Sequence, residues 1–143
     1  MYDYGLLMRR WFEEVWNQQR PEVIEELMAP DAVGYGLGAA AEGLHGRAGF
    51  QVLHTRFCGA FPDLRIEVDD VIAEGDRSAA RLTVTGTHHG DHLGVPATGR
   101  PVRFTGIVFS RWQDGQLVEG WNEFDFASMM AQVQPSEPAG PAA

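Results

Sequence analysis

The segment R-W-Q-D-G-Q-L-V-E-G-W-N-E-F-D, residues Arg111 to Asp125, sets two apolar runs on either side of Asp114-Gly115. Asp and Gly tolerate the positive φ that tight hairpin turns demand, so the pair predicts a β-hairpin. Along the second strand, alternation puts Leu117, Glu119, Trp121, Glu123 and Asp125 on one face. Val118, Gly120, Asn122, Phe124 and Phe126 fall on the other. Neither face is wholly polar, which predicts a central strand. A carboxylate at its end, beside Trp121 and Phe124, is expected to be partly desolvated and therefore a useful base.

Working outward, Val102 to Trp112 is the strand before the turn, and two hairpin registers remain open. One puts Thr105, Ile107 and Phe109 on the face of Asp125, and the other puts Phe104, Val108 and Ser110 there. Leu64 to Ala73 alternates as a strand, Glu74-Gly75-Asp76 is a turn, and Ser78 to His88 is a further β run. Before Pro62 the texture is helical. Tyr4 to Gln18 carries Leu7, Trp11, Phe12, Val15 and Trp16 on one stripe, and Pro21 opens a second, short helix that Ala29-Pro30 ends. Asp31 to Leu44 is rich in Gly and Ala, with V-G-Y-G a short strand carrying Tyr35. Gly46 to Ala60 is a third helix whose inward face holds Phe50, Leu53, His54 and Phe57.

The order ααβαββββ predicts an α+β domain in which a curved, four-stranded, mostly antiparallel sheet wraps as a cone around its N-terminal helices. The cavity between sheet and helices is the expected ligand site. At 143 residues the chain suffices for one domain, taken as residues 1–133. The Pro/Ala/Gly-rich remainder, 134–143, is expected to be a disordered tail. With 20 acidic against 11 basic side chains and a net charge of -9, neither nucleic acid nor an anionic membrane is an expected partner. The single cysteine, Cys58, permits no intramolecular disulfide, and no apolar run approaches the roughly 20 residues of a membrane span. A cytoplasmic location is expected.

Four fragments carry a family resemblance. They are G-L-H-G-R at Gly43 to Arg47, A-F-P-D-L at Ala60 to Leu64, G-T-H-H-G-x-x-x-G-V-P-A-T-G-R at Gly86 to Arg100, and the stretch ending at Asp125. In this order and spacing the chain resembles the SnoaL-like polyketide (ester) cyclase family, from about Leu6 to Val133. The resemblance implies a nuclear-transport-factor-2-like cone, a homodimer joined through the sheet, and an active site without cofactor or metal. It also implies an acid/base aspartate at the end of the last long strand, the motif position of Asp125, and it makes His88 of the G-T-H motif the second catalytic candidate.

The reaction such a site would serve is an intramolecular aldol closure or isomerisation of a carbonyl-rich small molecule. That chemistry needs a base, a donor for the developing oxyanion and a cavity holding both ends together. An apolar surrounding would raise the pKa of Asp125 toward neutrality; the alternative is that Asp125 caps a helix starting at Phe126. Trp121 and Tyr35 are candidates for stacking on a flat substrate, and His54, Phe57 and Glu123 for further substrate contacts. His88, His89 and His92 sit in one short loop without a cysteine partner, a poor metal set. Two other functions fit the same cone. One is an epoxide-opening type of hydrolase built on an Asp–Arg–Asp set, with Arg81, Arg103 or Arg111 as the arginine, and the other is a non-catalytic small-molecule carrier.

Overall fold

The computed structural model describes residues 1–37 and 43–134, and the helical-to-extended change near Pro62 divides it as the sequence does. Asp3 caps α1 (Tyr4–Arg10), accepting from the Leu6 N–H at 3.0 Å. The helix then widens into a π-helical segment, Trp11–Asn17, in which the Gln18 N–H donates to the Glu13 carbonyl at 2.8 Å. Wider turns gather Trp11, Phe12, Val15 and Trp16 on one stripe, and all four are buried. α2 (Pro21–Leu27) runs directly into β1 (Met28–Tyr35), longer than the strand expected at V-G-Y-G. β2 (Leu44–His45) and α3 (Gly46–Ala60) follow.

After α3 come β3 (Arg65–Glu74), β4 (Arg77–Thr87), β5 (Pro101–Gln113), β6 (Gln116–Phe124) and a closing helix, α4 (Phe126–Val133). The strands form one sheet in the order β2-β1-β6-β5-β4-β3, antiparallel throughout except that β1 lies parallel to β6. The expected four-stranded sheet is therefore six-stranded among the described residues. β1 and β2 gave little alternation because they flank a Gly/Ala-rich stretch. β6 is an interior strand, as apolar residues on both of its faces require.

The hairpin adopts the first of the two registers: Phe109 faces Trp121 and Ile107 faces Glu123. A register shift between Arg111 and Trp112 leaves Val118 as an extra residue in β6, so Leu117 pairs with Trp112 while Glu119 pairs with Arg111. That bulge puts Leu117 on the opposite face from Glu119, which simple alternation had joined. On β5 the pattern is regular. Val102, Phe104, Gly106, Val108, Ser110 and Trp112 face inward and are buried, whereas Arg103, Thr105, Ile107 and Phe109 face outward and are exposed.

The family-like fragments include the clasps of this architecture. The Arg47 guanidinium donates to the carbonyls of Glu25 (3.1 Å) and Met28 (2.7 and 3.0 Å), serving the end of α2, where helical carbonyls lack partners. Asp63 accepts from the N–H and hydroxyl of Thr87 at 2.7 and 2.8 Å, tying the turn after α3 to the end of β4. At the opposite end, the buried Trp112 indole donates to Ser78 Oγ at 2.8 Å and stacks on Tyr4 with ring centroids 5.5 Å apart. The tail expected to be disordered falls, beyond Gln134, outside the described residues.

Candidate active site

Between α3, the π-helical segment and the inner face of the sheet lies a cavity of about 60 Å³. Its wall is aromatic: Trp11, Phe12, Trp16, Phe50, Phe57, Phe104, Phe124 and Phe126, completed by Leu37, Leu53, Leu64, Ile66 and Val84. Indole N–H groups apart, Asn122 is the one polar side chain in this wall among the described residues. A second space of about 40 Å³, toward the hairpin end, is bordered by Met8, Val108, Ser110, Trp112, Leu117 and Gly120. Trp11, Leu37, Phe50 and Asn122 border both, so the two spaces are parts of one interior partitioned by these side chains. A drug-sized ligand fills roughly 300 Å³ or more, so entry of a substrate requires the aromatic wall to move. Leu37, Leu53, Phe57, Phe124 and Phe126 are each half-buried, and they mark where the wall meets solvent.

Strand parity puts several sequence candidates outside this interior. Because Asn122 and Phe124 face inward, Trp121 and Glu123 face outward, and both are exposed. Trp121 stacks on Tyr35 (centroids 5.8 Å) and meets Phe109 edge-on (5.7 Å) on the outer face, where the Tyr35 hydroxyl lies 3.4 Å from a Glu119 oxygen. Asp125 is exposed and caps α4, its carboxylate accepting from the Ser128 N–H at 3.0 Å and the Ser128 hydroxyl at 2.7 Å. Those bonds hold its pKa below the ordinary carboxylate value, the reverse of the expected rise, because no desolvation of consequence opposes them. Of the arginines considered for a hydrolase, Arg103 pairs with Thr85, Arg81 with Ile107 and Arg111 with Glu119 on the outer face, so none lines the cavity.

The two inward histidines are both held. His54 is buried on α3 and donates from Nε2 to the Val15 carbonyl at 2.7 Å, a carbonyl that the end of the π-helical segment leaves free. Burial holds the His54 pKa below the usual histidine value, with the Val15 bond opposing. Cys58 Sγ lies 3.5 Å from the same Nε2, and burial pushes the thiol up to about 11, so the pair is no nucleophile–base dyad. His88 is fully buried, its Nδ1 receiving the Thr98 N–H at 3.3 Å with the Thr98 hydroxyl at 3.0 Å. Nδ1 is the acceptor of the Thr98 N–H, and Nε2 is buried with no hydrogen-bond partner among the described residues. His88 packs on Phe61 (centroids 5.8 Å), and neither residue borders the two spaces. No group of three or more His, Cys, Asp or Glu converges as a metal site among the described residues.

Of the sequence candidates, only Phe57 lines the cavity, while Asn122, Ser110 and the Trp11, Trp16 and Phe50 rings were not singled out as site residues. A signal for the sheet residues was present. The β6 face bearing Glu119, Glu123 and Asp125 is far more charged than the one bearing Gly120, Asn122, Phe124 and Phe126, and the less charged face is the one a core accepts.

An aromatic-lined interior between three helical segments and a curved sheet defines the nuclear-transport-factor-2-like α+β cone. The chain belongs to the SnoaL-like polyketide cyclase family, whose model matches residues 6–133. Among solved structures, IdmH of Streptomyces antibioticus, a candidate polyketide cyclase, is 34% identical with a TM-score of 0.79, over 92% of this chain and 98% of that one. AclR of Streptomyces galilaeus, a candidate hydroxylase, is 31% identical with a TM-score of 0.78, over 93% and 83% of the two chains. A candidate SnoaL-like polyketide cyclase from Jannaschia sp. CCS1 is 25% identical with a TM-score of 0.82, over 92% and 91%. No curated protein matches the chain. Among the described residues no helix is long and apolar enough to cross a membrane.

Proposed function

We propose that the protein is a cyclase-type enzyme that folds a largely apolar, carbonyl-bearing chain of the polyketide kind inside the cone and promotes ring closure there. The observation that carries this reading is the aromatic wall of the cavity with a single amide set into it. Membership in a family of polyketide cyclases, and likeness to IdmH, support the reaction class. None of the described residues bordering the interior is an acid, a histidine, a lysine or an arginine, so what these residues contribute is confinement and hydrogen bonding. Holding two reacting ends as near neighbours can replace an effective concentration of about 10⁵ M or more, which is ample for a substrate whose C–H between two carbonyls is already acidic. Proton exchange is left to the substrate's enol and to water at the half-buried rim.

The hydrolase alternative needs carboxylates bridged by arginine, and Arg81, Arg103 and Arg111 lie on the outer face. A carrier would use the same cavity without turnover. The test is incubation with a synthetic linear poly-β-keto ester bearing an alkyl tail, followed by mass spectrometry and chromatography against a buffer control. Faster cyclisation than in buffer, abolished by Phe57→Arg in a protein that still melts cooperatively, is the expected result. Saturable binding with no acceleration would refute the enzyme reading and leave the carrier.

A further inference from the structure

One row of positions crosses the sheet on its inner face with almost no side-chain volume: Ser78 on β4, Ser110 on β5, Gly120 on β6 and Gly34 on β1, each paired with the next. The row leaves a notch in an interior otherwise walled by large side chains. A Cβ built on Gly120 would meet nothing nearer than the Asn122 amide nitrogen at 3.8 Å. Ser78 is spoken for, since its Oγ accepts the Trp112 indole N–H at 2.8 Å. Ser110 is not. It is 2% exposed, it borders the smaller space, and its hydroxyl has no partner among the described residues.

Asn122 stands diagonally across from Ser110, two residues beyond Gly120 on the same face, where diagonal neighbours are roughly 7 Å apart. Its orientation follows from chemistry: Nδ2 lies 2.9 Å from the Tyr35 carbonyl, and only the NH₂ end can face an acceptor. Oδ1 is therefore left as a free acceptor, without a partner among the described residues, and Asn122 borders both spaces. An acceptor cannot satisfy a carbonyl; it takes an O–H or N–H. The Ser110 hydroxyl, in contrast, can donate to a carbonyl.

The geometry points to Ser110 and Asn122 as a two-point recognition floor for a hydroxyl beside a carbonyl, an enolised 1,3-dicarbonyl or a β-hydroxy ketone, at the end of an otherwise apolar ligand. This inference rests on the proposed cavity function and names the substrate group that the cavity selects. Ser110 Oγ–H donates to the ligand carbonyl, and Asn122 Oδ1 accepts from the ligand hydroxyl. Neither group titrates near neutral pH, so the recognition is insensitive to pH between about 6 and 8.

The test uses three long-chain probes: a β-hydroxy ketone, the same ketone lacking the hydroxyl, and its O-methyl ether. Affinities are read by calorimetry on the full chain and on Ser110→Ala and Asn122→Leu, with thermal midpoints checking that each variant folds. One neutral hydrogen bond, from the ligand hydroxyl to Asn122, separates the β-hydroxy ketone from the other two probes, so the wild type should prefer it by roughly 2- to 10-fold, equally at pH 6 and pH 8. Asn122→Leu should lose the preference while binding the deoxy ketone as before, whereas Ser110→Ala should bind all three probes several-fold more weakly and keep the preference. Equal wild-type affinity for the three probes would overturn the inference and leave the apolar-cavity reading standing. Failure of every probe to bind would overturn both.

Discussion

Replacing Phe50 by alanine tests whether the two spaces are one partitioned interior. Phe50 borders both, is 6% exposed, and packs on Trp11 and Trp16 with ring centroids 5.1 and 5.8 Å away. Removing a ring from such a position costs about 3–5 kcal/mol, the lost transfer free energy plus the cavity that a rigid surround cannot close. For a chain near 150 residues this corresponds to a fall of roughly 10–15 °C in thermal midpoint. The spaces of about 60 and 40 Å³ should then merge with the volume of the ring itself. An apolar cavity of that size accepts benzene, and benzene at ten times its Kd would restore about 1.4 kcal/mol, or about 4 °C. Circular-dichroism melts of both proteins, with and without benzene, give the answer. A loss below about 1 kcal/mol, or a benzene shift equal in both, would refute the partitioned interior, since a buried ring between two voids cannot be removed so cheaply.

Asp125→Asn should retain cyclisation activity and nearly all of the thermal midpoint, because Asn serves as an N-cap almost as well, while Asp125→Ala should melt lower with turnover unchanged. The Ser128 bonds depress the pKa of Asp125, so the capping contribution is present above the ordinary carboxylate range and is lost as pH falls through the folded-state value. Melting curves of wild type and Asp125→Ala should therefore converge in acid; a turnover collapse in Asp125→Asn would restore this residue to the catalytic role that the resemblance implies. On the outer face, Ile72, Ala79, Phe109, Trp121 and Tyr35 form one transverse row, with Ile72 70% and Trp121 38% exposed. A second copy covering this row is expected to give a dimer by light scattering at micromolar concentration, and Trp121→Glu a monomer; a monomeric wild type would end the idea.

Local sequence sufficed wherever one residue type answers one backbone need. The Asp114-Gly115 turn, with Asp114 at φ 52° and Gly115 at φ 79°, the Pro21 start of α2 and the bounds of α3 were all legible. So was the interior position of β6, because apolar residues on both faces of a strand need cover on both. Charge marked the outer face of β6, but the face on which the β5 side chains stand was not legible, since it depends on register, and a one-residue shift exchanges the faces. The Val118 bulge moved Leu117 inward, and the pairing of Phe109 with Trp121 sent Trp121, Glu123 and Asp125 outward and Ser110 and Asn122 inward. The pKa of Asp125 went the same way: beside two aromatic residues in sequence it looks desolvated, yet in space it meets Ser128 and solvent. Chain neighbours are given by covalent order, but the dielectric around a carboxylate and the wall of a cavity are set by residues that only the pairing of six strands and the packing of the helices bring together.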